Sequence, residues 1–174
     1  GGAGRAAVAR PRSGRPARGA DHGARPSRPR ARTHPMTRVT IARAEASALW
    51  ALRGRVLGGA GPEGHLHLKG DGAEDTRHWV ASLDGEVVGC VTVMARRGWA
   101  LRAMAVSPTH QRTGIGRQLL DRVGQDVDAP MWCNARLAAV PFYAACGWQV
   151  TSPPFVIDGA GLHRRMTWAP TDRG

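Results

Sequence analysis

The sequence predicts an α/β fold in which helices flank a mixed sheet. Two segments with helical periodicity, Glu45–Leu57 and Gly114–Gln125, alternate with shorter apolar runs that are typical of strands. Between these segments, Asp84-Gly85 separates two apolar runs, which is a strong signal for a β-hairpin. Because strands precede and follow the helices, with the hairpin between them, we expect a mixed sheet.

The N-terminal part of this pattern contains one helix and a run of strands. Helix Glu45–Leu57 places Leu49, Leu52 and Val56 on one stripe. Gly58–Gly72 is rich in glycine and too long for a simple turn, so we expect a mobile or functional loop there. Four strands are expected in this part: Val39–Ala42, His78–Leu83, Glu86–Met94 and Gly98–Val106.

The C-terminal part begins with helix Gly114–Gln125, whose apolar residues repeat at helical spacing and predict a buried stripe. A second helix covers about Leu137–Cys146 and ends at Gly147. Pro141 lies inside this segment, which indicates a late start or a bend, since proline has no backbone N–H to donate. Three strands are expected in this part: Met131–Cys133, Trp148–Thr151 and Leu162–Trp168.

Residues 1–35 differ from the remainder in composition. They carry nine arginines against one aspartate, whereas the remainder carries sixteen basic and twelve acidic side chains, so most of the net charge of +12 lies in this segment. With few apolar residues, the segment cannot offset its ordering entropy. We therefore expect a disordered Arg/Pro/Gly-rich extension over residues 1–35 and a folded domain over residues 36–174.

A basic extension can bind nucleic acid, but another origin is favoured here. The chain begins with Gly1 rather than Met, and the folded pattern begins just after Met36. Arginine, proline, glycine and alanine have GC-rich codons. We therefore expect residues 1–35 to be sequence upstream of the true translation start, included because the start was wrongly assigned, or else a dispensable extension.

The remaining composition excludes several classes of protein. No apolar run reaches the roughly 18 residues of a membrane span, and the N-terminus lacks the apolar segment of a secretory signal. The three cysteines, Cys90, Cys133 and Cys146, show no Cys-x-x-Cys spacing. They are typical of reduced, buried thiols in a cytoplasmic protein.

The segment Gln111–Gly116 follows a strand and opens a helix, which predicts an anion-binding turn. Free backbone N–H groups and the helix dipole favour negative charge at such a turn. A Walker A loop requires a lysine after the second glycine, where this chain has Arg117. A dinucleotide fingerprint requires a third small residue, where it has Leu119. Neither nucleotide loop therefore fits.

This loop and a second motif resemble those of the GNAT family of N-acetyltransferases. The family's phosphate loop, Gln/Arg-x-x-Gly-x-Gly/Ala, is matched by Gln111, Gly114 and Gly116. Its later signature, Ala-x-x-Phe-Tyr-x-x-x-Gly-aromatic, is matched by Ala139–Trp148. The resemblance covers roughly residues 38–168 and implies a single domain with a mixed, mostly antiparallel sheet.

Other segments are similar to the ElaA-like branch of that family. They are Leu52–Leu57, Gly70-Asp71, His78 and Gly161–Met166. They indicate the branch, but they say little about the acceptor.

The resemblance implies acetyl-CoA as acyl donor, and no metal. The turn would hold the pyrophosphate through backbone N–H groups, helped by Arg112 and Arg117. Strand Met104–Val106 would pair with the pantetheine arm and face the thioester oxygen. Tyr143 would act as the catalytic acid for the leaving thiolate. The expected cofactor-binding residues are Met104, Ala105, Val106, Gln111, Arg112, Thr113, Gly114, Ile115, Gly116, Arg117, Asn134 and Arg136.

The sequence does not decide whether Asn134 or Arg136 contacts the cofactor, and it does not identify the catalytic base. Relatives often place a cofactor-contacting Asn seven residues before the tyrosine, where this chain has Arg136, and Asn134 lies two residues earlier. No spacing selects a base among the titratable candidates. These candidates are Glu63, His65, Asp71, His78 and His163.

A metal site is considered at His65-Leu66-His67, where two imidazoles share one face. Without a third ligand in the pattern, we expect loop or surface histidines and no metal.

The sequence therefore predicts an acetyl-CoA-dependent N-acetyltransferase that moves an acetyl group to a primary amine by direct attack. The acceptor is a small-molecule or peptide amine, no membrane partner is expected, and a homodimer stays open. One alternative is a non-catalytic acyl-CoA-binding sensor, which the retained Tyr143 argues against. The other is a basic-tail nucleic-acid-binding protein, which is not favoured and whose binding would reside in residues 1–35.

Overall fold

Eight strands form one sheet within residues 38–58 and 61–171, the part of the chain that this computed structural model describes. In chain order they are β1 (Thr40–Ala44), β2 (Thr76–Leu83), β3 (Glu86–Ala95), β4 (Trp99–Val106), β5 (Met131–Arg136), β6 (Gln149–Val150), β7 (Phe155–Ile157) and β8 (Gly161–Trp168). Their spatial order is β1-β2-β3-β4-β5-β8-β6, and β7 also pairs with β8. Only β4 and β5 are parallel. The predicted mixed, mostly antiparallel sheet is confirmed.

The predicted extension over residues 1–35 lies outside the described residues, as do the last three residues of the chain.

Three α-helices cover the two faces of the sheet. They are α1 (Ser47–Arg53), α2 (Ile115–Val127) and α3 (Val140–Ala145). Helix α2 buries its apolar stripe in a large core cluster that includes Trp79 of β2 and Val91 of β3. Helix α1 packs in a second cluster with Val80 of β2 and Cys90 of β3. Because neighbouring residues of a strand point to opposite faces, α1 and α2 lie on opposite sides of the sheet.

The hairpin between β2 and β3 forms where Asp84-Gly85 predicts it. Asp84 has φ 50° and Gly85 has φ 83°. Positive φ at both central residues is the requirement of a type I′ turn, which matches the twist of the two strands.

Several predicted boundaries differ from the structure. The helix expected over Glu45–Leu57 is α-helical only over Ser47–Arg53 and continues as a π-helical turn over Gly54–Gly58. A Cβ at Gly54 would lie 1.7 Å from the carbonyl oxygen of Gly64, so the following loop crosses the helix where only glycine fits.

The helix expected over Leu137–Cys146 starts late. Leu137–Ala139 is a 3₁₀ turn, and α3 begins only at Val140. Pro141 then lies in the first turn, where its missing N–H removes no intrahelical hydrogen bond. The late start that Pro141 indicates is therefore observed.

Two strands at the C-terminal side were predicted too short or missed. Strand β5 runs to Arg136 rather than Cys133, because its whole length pairs with β8. Strand β7, Phe155–Ile157, was not predicted. Its three residues are too few to show the alternation by which strands are recognised.

Candidate active site

A gap opens in the sheet between β4 and β5. The two strands pair only at Trp99 with Met131 and at Ala100 with Trp132, although β4 continues to Val106. Backbone N–H and C=O groups of β4 that face β5 beyond Ala100 therefore have no ladder partner. An extended, amide-rich ligand can pair with such an edge as an added strand.

A β-bulge lies in β4 at the start of this free edge. Cys90 of β3 pairs with Ala105, but Thr92 pairs with Arg102, so two residues of β4 oppose one residue of β3. Ala103, one of these two residues, has φ 46°, a left-handed conformation that is uncommon for alanine. A bulge leaves its extra residue unpaired and re-aims the strand, so backbone N–H groups here are available to a ligand.

The turn after β4 leads directly into the N-terminus of α2. Arg112 has φ 61° and Gly114, the residue that precedes the helix, has φ 89°. No side chain caps the helix, so its first N–H groups are unpaired within it. The side chain of Gln111 donates from Nε2 to the carbonyl oxygen of Val106 at 3.1 Å, which ties the turn to the end of β4. The turn presents N–H donors and no carboxylate.

A cavity of about 560 Å³ joins this turn to the gap. A cavity of this size suits a small ligand or part of a larger cofactor. It is lined by residues of β4, the turn, α2 and α3, which are Met104, Ala105, Val106, Gln111, Arg112, Gly114, Gly116, Arg117, Ala138, Ala139, Phe142 and Tyr143.

Tyr143 contributes a buried phenol to this cavity. Its ring packs edge-on against Phe142 and Trp148, with centroids 5.2 and 5.5 Å away. Its hydroxyl lies 3.7 Å from Sδ of Met104, a weak acceptor. Burial raises the pKa of Tyr143, because the phenolate would be poorly solvated there. The hydroxyl therefore stays protonated and is positioned as a donor beside β4.

The structure brings most of the predicted cofactor-binding residues together, although their roles stay predictions. Eight of the twelve line the cavity. Thr113 does not line it, and its hydroxyl donates to the carbonyl oxygen of His110 at 2.6 Å. Ile115 is 2% exposed, so only its backbone can face a ligand.

Asn134 and Arg136 do not line the cavity either. Their neighbours Cys133 and Ala135 point into the core cluster with α2. The side chains of Asn134 and Arg136 therefore point to the opposite face of the sheet.

Three cavity residues were not predicted to bind the cofactor: Ala138, Ala139 and Phe142. A Cβ on Gly116 would lie 3.0 Å from Cζ of Phe142, so this ring closes over the helix N-terminus. Phe142 is 36% exposed despite its size. An aromatic residue directly before a buried tyrosine on a short helix is the signal that could have identified it.

Asp71 and His78, two candidate bases, belong to a buried polar cluster under α1. Arg53 is fully buried, donates from Nη1 to Oδ2 of Asp71 at 2.8 Å, and also donates to the hydroxyl of Thr92. Nε2 of His78 donates to the carbonyl oxygen of Asp71 at 2.9 Å, and Nδ1 lies 2.8 Å from the Thr92 hydroxyl. With both ring nitrogens engaged and 4% exposure, His78 has no free site for a proton from a substrate.

The other three candidate bases occupy different places. Glu63 and His65 lie close together in the loop after α1, with Oε2 and Nε2 3.7 Å apart. His163 is buried on β8 opposite Arg136, and its Nδ1 lies 2.8 Å from the carbonyl oxygen of Gly161. Because a carbonyl only accepts, Nδ1 carries the proton and Nε2 is left as an acceptor.

His65 and His67 were considered as metal ligands and expected to be loop or surface histidines. Their rings are 6.3 Å apart, and His67 stacks on Trp50 at 4.0 Å. No group of three His, Cys, Asp or Glu side chains that could hold a metal ion occurs among the described residues. Within the same residues, no helix is long and apolar enough to cross a membrane.

Part of the chain is similar in sequence to a known protein family. Residues 74–150 match the family described as an acetyltransferase (GNAT) domain. No curated protein sequence matches the chain.

Solved structures share the fold over most of their length. Escherichia coli ElaA is 18% identical with a TM-score of 0.59, covering 75% of this chain and 99% of that one. An aminoglycoside 6'-N-acetyltransferase in complex with coenzyme A is 12% identical with a TM-score of 0.61, covering 78% and 99%. The ribosomal-protein-S18-alanine N-acetyltransferase of Escherichia coli is 19% identical with a TM-score of 0.58, covering 79% and 98%. At these identities, the likeness concerns the fold.

Proposed function

We propose that the chain is a GNAT acetyltransferase, as the match over residues 74–150 supports, and that it transfers an acetyl group from acetyl-CoA to a primary amine by direct attack. One observation carries the proposal. A single cavity joins the uncapped N-terminus of α2, the free edge of β4 and the hydroxyl of Tyr143. An enzyme that uses acyl-CoA needs such groups to bind the phosphates, to bind the pantetheine arm and to donate a proton to the leaving thiolate.

The donor would bind with its pyrophosphate at the turn and its arm along β4. The N–H groups at the start of α2 and the helix dipole favour a phosphate there. Arg112 and Arg117 are exposed beside it, although Arg117 already donates to the carbonyl oxygen of Ala145 at 2.7 Å. The arm would then extend into the gap, with its amides paired to β4. The aminoglycoside and the ribosomal-protein-S18-alanine N-acetyltransferases named above have different acceptors, so the donor site alone leaves the acceptor open.

The reaction would proceed through one tetrahedral intermediate. The neutral amine attacks the thioester carbon, and the C–N bond forms while negative charge develops on the oxygen. An N–H group at the β4 bulge can stabilise that oxygen, and such a donor contributes roughly 3 kcal/mol. As the C–S bond breaks, Tyr143 gives its proton to the thiolate and recovers one from solvent.

A base must also take the proton that the amine loses. His163 is the candidate that we favour, because it lies on β8 opposite Arg136, the last residue of β5, and retains Nε2 as an acceptor. Asp71 and His78 are excluded from this role because the buried cluster occupies them.

Donor binding can be tested with a substitution that fills the cavity. In Gly116→Val, the added side chain meets Phe142 and Met104, whose atoms already lie 3.0 and 3.3 Å from an ideal Cβ. We expect coenzyme A binding, measured by calorimetry, to fall at least about 100-fold, since the pyrophosphate site is blocked. The matched control is Gln125→Val, on the exposed side of the same helix, and it should bind like the unmodified protein. Equal loss in both variants, or in neither, would contradict the proposed site.

A further inference from the structure

We propose that the acceptor amine also carries a carboxylate, and that Arg102, Arg136 and Arg165 recognise it. The inference rests on the proposed acetyl transfer and names the chemical class of its acceptor. It follows from the position of the gap and from the charges that border it.

The acceptor must approach from the α1 side of the sheet. The cavity lies on the side of α2 and α3, so a donor bound there occupies that approach to the thioester. Because β4 and β5 separate beyond Ala100, the thioester is reachable through the gap from the opposite face. Side chains that border the gap on that face therefore contact the acceptor.

Two arginines border the gap on that face, and a third lies on β8, the strand next to β5. Arg102 of β4 pairs with Thr92, whose hydroxyl contacts Arg53 under α1, so both side chains lie on the α1 side. Arg136 of β5 extends toward α1, and its Nη2 lies 3.5 Å from the carbonyl oxygen of Leu57. The two strands thus present one guanidinium each across the gap.

Arg165 of β8 is held in place beside them. It pairs with Asn134 in the sheet and donates from Nε to Oδ1 of Asn134 at 2.9 Å. Its guanidinium also stacks 4.1 Å from the ring centre of Trp132. These contacts fix the orientation of the planar group, which lowers the entropy cost of binding a carboxylate.

None of the three arginines has a carboxylate partner within the part of the chain that the structure describes. All three side chains are exposed. An exposed arginine without a partner in a reaction site is free to bind a carboxylate in a two-pronged arrangement.

The elements around the gap contain no acidic residue. Helix α1, the π-helical turn and strands β4, β5, β7 and β8 carry arginines and one histidine as their only ionisable side chains apart from Cys133. Asp71, the buried carboxylate under α1, is already paired with buried Arg53. Glu63 and Asp158 lie in the flanking loops. A polyamine or an aminoglycoside would therefore meet a repulsive surface, whereas an amine with a carboxylate meets an attractive one.

The same charges favour the reactive form of the amine. Nearby positive charge disfavours an ammonium group, which lowers the pKa of a bound amine and increases its neutral fraction. Only the neutral amine attacks the thioester. The same arginines would thus both bind the carboxylate and increase the neutral fraction of the amine.

The test compares amines in pairs that differ only in the carboxylate. Glycine, β-alanine and γ-aminobutyrate are each assayed against their own amides, with spermidine as a cationic amine, by thiol release from acetyl-CoA. The amide's amine is less basic and more often neutral, so it has the advantage unless the carboxylate is bound. We expect at least one carboxylate member to have a kcat/KM about 10- to 100-fold above that of its amide, the size expected for a charge-assisted hydrogen bond.

A second arm distinguishes a small amine from a peptide that presents the same group. It uses short C-terminally amidated peptides whose second residue is glutamate or glutamine. We expect the free carboxylate-bearing amines to be the better acceptors. Preference for the glutamate peptide over all of them would overturn the assignment to a small acceptor.

Substitutions connect the preference to the arginines. Arg136→Gln and Arg102→Gln should each lower the ratio of kcat/KM for the preferred carboxylate to kcat/KM for its amide about 10-fold or more, a ratio in which the effect of either arginine on the amine itself cancels. The control is Arg38→Gln, an exposed arginine that precedes β1, at the far edge of the sheet, and it should change neither substrate.

Two failures are distinguishable. Efficient thiol release with spermidine or with the amides, at the expense of the carboxylates, would overturn the inference and keep the acetyltransferase activity. Absence of thiol release with every amine would overturn both.

Discussion

Replacing Tyr143 by phenylalanine tests the role of the phenol with little disturbance to its surroundings. The variant keeps the ring that packs against Phe142 and Trp148 and removes only the hydroxyl. That hydroxyl contacts Sδ of Met104 at 3.7 Å, a weak interaction, so we expect the free energy of unfolding to change by less than about 1 kcal/mol.

The expected loss in rate is larger. A general acid contributes about 10²- to 10⁴-fold, and a leaving thiolate with a pKa near ~8.5 needs assistance at the lower end of that range. We therefore expect kcat to fall about 100-fold, which corresponds to about 2.7 kcal/mol in the activation free energy.

The assay measures kcat for thiol release at saturating acetyl-CoA and, separately, the affinity for coenzyme A by calorimetry. Coenzyme A should bind the variant within about threefold of the unmodified protein, since the pyrophosphate turn is untouched. Because burial raises the pKa of Tyr143, the hydroxyl is protonated throughout ordinary assay conditions, so Tyr143 should cause no alkaline loss of rate below about pH 10. A kcat within threefold of the unmodified value would refute the proton-donor role.

Two further predictions concern stability and thiol reactivity. Arg53→Met leaves the carboxylate of Asp71 buried without its cation, so the free energy of unfolding measured by chemical denaturation should fall by about 3–5 kcal/mol. The double variant with Asp71→Leu should recover only part of this loss, because Trp50 and Leu68 then lose the acceptor of their N–H groups. A loss below about 1 kcal/mol in the single variant would contradict the buried pair. Burial raises the pKa of Cys90 to about 11 and of Cys133 to about 12, so both thiols are neutral at pH 8, and only half-buried Cys146 should react with a thiol reagent before the protein unfolds. The stabilisation that comes from the neutral thiol of Cys90 is complete below its ordinary pKa of 9.0 and is lost as the pH rises toward 11. Equal reactivity of all three thiols in the folded protein at pH 8 would contradict the burial of Cys90 and Cys133.

Local sequence patterns correctly predicted the parts of the fold that depend on short-range backbone geometry. The turn at Asp84-Gly85 requires positive φ at both residues, and Asp-Gly is among the pairs that adopt it readily. Helix α2 differs by one or two residues from its predicted bounds, because its apolar stripe repeats at regular helical spacing. The cavity residues of the turn and of β4 were predicted because they form a contiguous motif that resembles the family's phosphate loop and the strand before it.

The remaining features depend on contacts between distant segments. Arg53 occupies a position next to the apolar stripe of α1, and nothing in its local pattern indicates a fully buried guanidinium, a placement that needs Asp71 and Thr92 from other elements. The gap depends on where pairing of β4 and β5 stops. The three arginines proposed to recognise the acceptor come from three strands, so their proximity depends on the strand order and register.

The central claim is that the cavity binds acetyl-CoA and delivers its acetyl group to an amine. The most direct measurement follows thiol release from acetyl-CoA in the presence of the carboxylate-bearing amines and identifies the acetylated product by mass spectrometry. We predict amine-dependent release matched mole for mole by N-acetylated amine, and loss of both in Gly116→Val. Tight binding of coenzyme A with no amine-dependent release would contradict the claim and indicate a sensor that binds acyl-CoA without turnover.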